Sequence, residues 1–188
     1  IENISLTSEL RNLIQRFTEH YHELWAQRKF ENGWNYGDTW NFDRKLHPRL
    51  KPFHLLSEYE KTEYKEPITD LVKTLLALDW SIDQKDTNQS LTRGPIRIEA
   101  KSSIANYNPQ PVDTSSLTLS RDIQTLAERL AQNSHEIWAL QTSKTMNNSI
   151  HPQMVPYDLL TDREKRKNRE QSQELLKYMQ YEGWRIQK

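Results

Sequence analysis

Apolar residues recur at spacings of three and four in two stretches of the chain, the pattern of one face of an amphipathic helix. The first run comprises Leu10, Leu13, Ile14, Phe17, Tyr21, Leu24 and Trp25, and the second comprises Ile123, Leu126, Ala127, Leu130, Ile137 and Trp138. Thr7 and Ser120 precede the two runs, and each is followed by an acid in the first turn. Both residues fit an N-cap, so the pattern predicts a long helix after each of them.

A proline-containing extended segment and a further helix follow each run. Residues 46–61 read LHPRLKPFHLLSEYEK and residues 150–165 read IHPQMVPYDLLTDREK, with seven of sixteen positions identical. The prolines disfavour helix at the residue before each of them. The S/T-x-x-E pattern near the end of each stretch is a capping box, which predicts the start of a helix. We expect Pro67 to kink or divide the first of these helices, and short strands at 79–82 and 183–186.

The same order of elements occurs twice, so the chain is predicted to be a tandem repeat. HELWA at 22–26 matches HEIWA at 135–139, and the second copy has nine fewer residues between this motif and its proline segment. The missing part includes the counterpart of GWNYG at 33–37. A copy with so few aliphatic residues is marginally stable alone. We therefore expect the copies to bury surface against each other about a pseudo-two-fold axis.

The predicted fold class is mainly α, with each repeat formed by a helix, an extended proline segment, a second helix and a short strand. The first repeat is assigned to 1–82 and the second to 118–188. Residues 83–117 form a polar connector with almost no apolar periodicity. Such a segment buries too little apolar surface to order itself fully, so we expect a flexible inter-repeat loop.

Composition excludes several classes of function. The 26 basic residues balance the 26 acidic ones, so no basic field favours a nucleic-acid partner. The hydrophobic share is 35%, and no apolar run approaches the ~20 residues of a membrane span, so no direct membrane insertion is expected. Cysteine is absent, which leaves no disulfide framework.

The histidines do not form a metal-binding motif. The His-Glu pairs that begin at His22 and His135 resemble the first half of H-E-x-x-H, but the second ligand position is occupied by Ala26 and Ala139. The four glycines are too few for phosphate-cradling loops. The sequence therefore predicts no catalytic residue, no metal site and no cofactor.

The motifs, taken in order, resemble the tandem repeat of ryanodine receptors, the intracellular calcium-release channels. They are HELWAQRKFENGWNYG, HPRLKPFHLLSEYEK and LLALDW in the first half, and YNPQPVD, LTLSR, LAERLAQNSHEIWA and VPYDLL in the second. The second set is similar to the later of the two repeat pairs, called the phosphorylation domain. The alternative from the residues alone is a free-standing helical-repeat adaptor that binds other proteins.

The resemblance implies a non-catalytic regulatory module of a homotetrameric channel, on the cytoplasmic face of the sarcoplasmic or endoplasmic reticulum membrane. Its implied partners are other domains of the same channel, together with protein kinases and phosphatases. The inter-repeat loop of that pair is a kinase target in the family.

Five hydroxyl side chains are candidate phosphorylation sites. A basophilic kinase prefers arginine three positions before the target, because the guanidinium pairs with carboxylates of the kinase. Only Ser172 has this feature, through Arg169, but it lies in a predicted helix. No connector hydroxyl has a basic residue at that position, which departs from the vertebrate pattern and points to a non-vertebrate receptor. The connector candidates, expected to be accessible, are Ser90, Thr92, Ser102 and Ser103.

Overall fold

A computed structural model describes residues 3–84, 103–145 and 156–188, and within them the chain is mainly helical, which confirms the predicted fold class. The four long helices are α1 (Ser8–Glu31), α2 (Glu58–Ala77), α3 (Arg121–Thr145) and α4 (Asp162–Tyr181). The strands are β1 (Asn35–Tyr36), β2 (Leu46–His47), β3 (Ser81–Gln84) and β4 (Trp184–Gln187). Two 3-10 turns, Phe53–Leu55 and Tyr157–Leu159, directly precede α2 and α4.

The helices begin where the sequence places their caps. The Ser57 hydroxyl accepts a hydrogen bond from the backbone N–H of Glu60 at 3.1 Å, while the Glu60 carboxylate accepts from the N–H of Ser57 at 3.0 Å. Thr161 and Glu164 make the same reciprocal pair. Both capping boxes are thus confirmed, and each satisfies two backbone donors that the first turn leaves without helical partners. The caps of α1 and α3 are Thr7 and Ser120, whose hydroxyls accept from Leu10 and Ile123.

Pro67 does not divide α2, which runs without a break from Glu58 to Ala77. Proline removes one backbone donor from a helix interior and crowds the preceding turn, which is why a kink or a division was expected. The surrounding turns remain helical on both sides, so the proline is accommodated inside one element.

The chain forms two compact units, and their limits differ from those of the sequence repeats. The first unit comprises Leu6–Ile68 with Asn88–Asp113, and the second comprises Thr69–Thr87 and Thr114–Lys188 with the first five residues. A division therefore falls inside α2, just after Pro67. A sequence repeat records ancestry, whereas a compact unit records which residues pack together. The assignment of 1–82, 83–117 and 118–188 remains a prediction about the repeats.

In the first unit, α1 buries the face that its periodicity predicts only over its first half. Leu13, Ile14 and Phe17 are fully buried, as expected. Further along, His20 and His22 are buried, while the expected Tyr21, Leu24 and Trp25 are half-buried. The two imidazoles displace the apolar face because they have partners in the interior, which are described below.

In the second unit, α3 packs along α4 around a core of aliphatic side chains. The fully or nearly buried members are Leu126, Ala127, Leu130, Ala131, Leu175, Leu176 and Met179. A two-stranded antiparallel sheet joins the ends of the two repeats, because β3 pairs with β4. This confirms the expected short strands.

The register of that sheet has a local two-fold symmetry. Ile82 pairs with Ile186, and these residues occupy equivalent positions in the two repeats. In the repeat alignment, Ser81 corresponds to Arg185 and Asp83 corresponds to Gln187. The pair of Ser81 with Gln187 is therefore the symmetry equivalent of the pair of Asp83 with Arg185. The predicted two-fold relation therefore holds for these strands.

A side-chain contact between the two helices of a repeat occurs at equivalent positions in both repeats. In the first unit, the Lys65 ammonium donates to the Gln15 amide oxygen at 2.9 Å. In the second unit, Arg169 and Glu128 occupy the equivalent positions and form an ion pair at 2.9 Å. The contact is thus retained between the copies, with a charged pair replacing an amide and a lysine.

Candidate functional site

The predicted kinase target in α4, Ser172, lies in the core of the second unit. Its side chain is 1% exposed, and its hydroxyl donates to the backbone oxygen of Ala127 at 2.8 Å and lies 3.1 Å from that of Arg169. The equivalent residue of the first repeat is Ile68, which is also 1% exposed. Position 172 is therefore a core position of the repeat, and its hydroxyl is used to bond α4 to α3.

The arginine that gives Ser172 its kinase signature is also engaged. Arg169 is paired with Glu128, and the same carboxylate accepts a hydrogen bond of 2.7 Å from the Tyr157 hydroxyl. Burial and the hydrogen bond to Glu128 raise the pKa of Tyr157. This cluster of three side chains attaches the 3-10 turn before α4 to α3.

Ser103 is the one connector candidate that the structure describes, since Ser90, Thr92 and Ser102 lie outside the described residues. Its side chain is exposed. The Ser103 hydroxyl donates to the Asn106 side-chain oxygen at 2.8 Å and accepts from the Asn106 backbone N–H at 3.3 Å. Ser103 therefore closes a surface turn, where a hydroxyl can be reached without opening the core.

The connector beyond this turn packs on α1, within the first unit. The backbone N–H of Gln110 donates to the Glu23 carboxylate at 2.7 Å, and that of Val112 donates to Nδ1 of His20 at 3.2 Å. The Tyr107 ring lies parallel to the ring of His22, with centroids 6.4 Å apart. We call residues 107–112 the connector strap. The sequence pattern did not predict the connector strap, because the strap is held by backbone amides and the Tyr107 ring rather than by a periodic apolar face.

The contacts of His22, the first residue of HELWA, give a structural reason for the histidine and the tryptophan of this repeated motif. Its Nε2 lies 2.8 Å from the backbone oxygen of Lys51, which directly precedes Pro52 in the extended segment. A carbonyl only accepts, so Nε2 carries the hydrogen and the imidazole is held in one neutral tautomer. Burial is the main reason that the pKa of His22 is lowered. The ring thus connects α1 to the proline segment. Its tilted contact with the Trp25 ring, at a centroid distance of 5.6 Å, is repeated between His135 and Trp138 at 5.6 Å.

Arg49 attaches the same extended segment to α2. Its guanidinium makes ion pairs with Glu60 at 3.1 Å and with Glu63 at 2.7 Å, and it lies 5.3 Å from the ring centre of Tyr64. The hydrogen bond from Arg49 is the largest cause of the lowered pKa of Glu63. The segment between α1 and α2 is therefore held from both sides, by His22 and by Arg49.

Neither a metal centre nor a membrane span is found in the described part of the chain. Within residues 3–84, 103–145 and 156–188, no three or more His, Asp or Glu side chains lie close enough to hold a metal ion. None of the helices there is long and apolar enough to cross a bilayer.

A surface feature that the sequence reasoning did not single out lies after GWNYG. Trp34 packs down into the first unit, as the motif suggested, but Trp40 and Phe42 are exposed. The signal in the sequence was the greater length of the first repeat, because its nine additional residues fall in this region.

The comparison with protein families agrees with the duplication. The model of the RyR domain matches the chain twice, over residues 1–84 and over residues 107–188. The second match begins at Tyr107, the first residue of the connector strap. Both matches include the cap, histidine and proline features described above.

Proposed function

Since the chain belongs to the RyR domain family, we propose that it is a non-catalytic regulatory module of a ryanodine-type intracellular calcium-release channel. The double match carries the proposal, because it covers both repeats in order. In this proposal the module lies on the cytoplasmic face of the sarcoplasmic or endoplasmic reticulum membrane, as part of a homotetramer. Its partners are other domains of the channel, with kinases and phosphatases acting on it.

The connector is the segment on which kinases would act. Ser103 is exposed at a surface turn, whereas Ser172 is buried and its arginine is paired with Glu128. A kinase binds its target in an extended conformation, and of the two candidates within the described residues Ser103 can be reached without loss of core packing, whereas Ser172 cannot. Ser90, Thr92 and Ser102 belong to the same connector and are included in the proposal.

A phosphate would act through charge and through the turn that it replaces. It adds about −1.5 to −2 charges at neutral pH. Phosphorylation of Ser103 would remove the hydroxyl hydrogen that bonds Asn106. Ser103 lies four residues before Tyr107, where the strap begins. The module influences gating only if its contacts differ between the closed and open channel, since a ligand shifts an equilibrium by its differential affinity alone.

The test is a single-channel measurement on the full-length channel in planar bilayers. Open probability at fixed cytosolic calcium is recorded before and after treatment with a kinase that is first shown by mass spectrometry to phosphorylate the connector. The matched variant carries alanine at Ser90, Thr92, Ser102 and Ser103. We expect the kinase to change the open probability of the wild type and not of the variant.

Two further variants separate the candidate sites. Ser172→Ala alone should respond to the kinase as the wild type does, because its hydroxyl is not reached in the folded protein. An unchanged open probability in the wild type, with phosphate found in the connector by mass spectrometry, would remove the regulatory role. An equal response from the fourfold alanine variant would move the site outside the connector.

A further inference from the structure

Two large aromatic side chains project from the surface of the first unit at the tip of one loop. Trp40 is 59% exposed and Phe42 is 66% exposed, and their ring centroids lie 6.1 Å apart. We call residues 33–45 the aromatic finger. Aromatic side chains contribute most to stability when they are buried, in cores or at interfaces. Two adjacent exposed rings are therefore typical of an interaction site.

The finger is held in one conformation by backbone hydrogen bonds. Asn41 and Leu46 exchange two of them, each 2.9 Å long, and the N–H of Lys45 donates to the backbone oxygen of Phe42 at 3.2 Å. The Asn41 side chain accepts from the N–H of Arg44 at 3.1 Å. The tip is therefore a closed turn, so little conformational entropy is lost when its rings bind a partner.

The base of the finger is fixed by packing. The buried Trp34 ring contacts Phe42 at a centroid distance of 5.9 Å and is covered by the Lys29 ammonium at 4.5 Å. Gly37 lies so close to strand β2 that a Cβ atom added at this position would be 2.6 Å from Cβ of Leu46. Only glycine fits there, so the sequence at this position serves the geometry of the finger.

The repeat fold does not depend on the finger. In the second repeat, the segment between HEIWA and the proline segment comprises residues 140–149. It is nine residues shorter than its counterpart in the first repeat and has no aromatic residue. The second repeat nevertheless forms its two helices, capping box and strand. Trp40 and Phe42 are mostly exposed, Phe42 keeps only an edge contact with Trp34, and the second repeat reaches its fold without either ring. A role in binding therefore accounts for the ordered aromatic tip.

The charges around the rings indicate the kind of partner. Asp43 and Arg44 adjoin Phe42, are exposed, and have no side-chain partner among the described residues. Asp38 accepts from the Tyr36 hydroxyl at 2.9 Å. Residues 33–45 carry two acids, Asp38 and Asp43, and two bases, Arg44 and Lys45, so the finger has no basic surplus, which a membrane surface or a nucleic acid would require. They match instead the mixed polar rim that surrounds aromatic anchors at protein interfaces.

We propose that the aromatic finger is a protein-docking site that inserts Trp40 and Phe42 into an apolar pocket on another cytoplasmic domain of the same channel. The rim of that pocket carries a base opposite Asp43 and an acid opposite Arg44. The inference rests on the proposed function for the identity of the partner. It adds to it the surface of the module that makes the contact.

The experiment is site-specific photo-crosslinking in the intact full-length channel. Trp40 is replaced by p-benzoylphenylalanine, membranes that contain the tetramer are illuminated, and cross-linked peptides are mapped by mass spectrometry. The matched control places the same probe at Tyr59, an aromatic residue of the same unit that is 72% exposed. We expect the Trp40 probe to cross-link one pocket of another channel domain, with a yield at least tenfold above that of the control.

Two substitutions made together with the probe test the details of the contact. Phe42→Ala should reduce the cross-link yield about tenfold or more, because a paired anchor is lost. Reversal of both charges, Asp43→Arg with Arg44→Asp, should reduce it several-fold, and more strongly at low salt. Thermal unfolding of the isolated 188-residue chain should change little on each substitution, since these side chains are mostly exposed and Phe42 loses only its edge contact with Trp34.

Other outcomes contradict the inference. A yield no higher than that of the Tyr59 probe would show that the finger is not docked. Cross-links to lipid, to a second copy of the finger or to a different protein would assign it another occupant and overturn the stated partner. Each of these results leaves the response of open probability to kinase unaffected, so failure of the inference is distinguishable from failure of the proposed function.

Discussion

Ser172 should be a poor kinase substrate in the folded chain although its sequence context is the best in the protein. Protein kinase A must receive the serine in an extended segment, and Ser172 lies within α4 with its hydroxyl bonded to Ala127. To reach the kinase, the helix around it has to unwind. We therefore expect labelling to be limited by opening of the core rather than by recognition of Arg169.

The size of the protection follows from what the opening exposes. Leu175, Leu176 and Met179 follow Ser172 in α4 and have no exposed surface. Burial of each such side chain stabilises the folded state by about 1.5–3 kcal/mol, and recovered chain entropy offsets part of the loss. An opening free energy of about 4 kcal/mol already reduces the open population about a thousandfold, since each 1.4 kcal/mol is a factor of ten.

The assay compares initial rates of labelling by protein kinase A at Ser172 in the intact chain and in a synthetic peptide of residues 164–178. We expect the chain to be labelled at least about a thousandfold more slowly. Leu175→Ala removes about 2–5 kcal/mol of core stability and should raise the rate in the chain by at least tenfold, while the rate at Ser103 stays unchanged. Rates in chain and peptide that agree within tenfold would show that α4 opens freely and that the burial argument is wrong.

Three further predictions concern the stability of the isolated chain. His22→Ala should lower the free energy of unfolding, measured with urea, by about 2–4 kcal/mol, because it removes the bond to Lys51 and leaves a cavity; a loss below 1 kcal/mol would contradict this. Burial lowers the pKa of His22 and, mainly by the same cause, that of His47, so their contribution to the free energy of unfolding should be fully present above about pH 6.5 and fall as the pH is lowered below it; a free energy of unfolding that does not fall below about pH 6.5 would refute the assignment. Gly37→Ala should destabilise by about 1–3 kcal/mol through its clash with Leu46, whereas an unchanged urea midpoint would mean that the finger yields without strain.

Local rules gave most of the helical structure from the sequence. Hydroxyl caps, reciprocal glutamates and the three-four spacing depend on residues close together in the chain, so α1 to α4 begin where expected. The division expected as one outcome at Pro67 did not occur, because the helix tolerates one missing backbone donor and stays continuous from Glu58 to Ala77. The buried histidines of α1 were also missed as core residues, since a polar ring is buried only when a distant partner such as the Lys51 carbonyl is present.

Features that depend on distant pairs were beyond the reach of local patterns. The connector strap is held by Glu23 and His20, far from it in the chain, and nothing in its own polar composition identifies those anchors. The burial of Ser172 was within reach of the repeat alignment. Its equivalent is Ile68, and an isoleucine on an apolar helix face marks a core position for both copies.

The duplication therefore serves as an internal control that separates folding from function. Features present in both repeats, such as the capping boxes and the contact of a histidine ring with a tryptophan ring, can be explained by packing and capping within each unit. The aromatic finger and the connector with Ser103 have no counterpart in the other repeat, and their exposed side chains make only local contacts, Phe42 with Trp34 and Ser103 with Asn106. A fold made twice from one pattern does not need them, so the differences between the repeats, rather than their shared motifs, are where regulation and docking should be tested first.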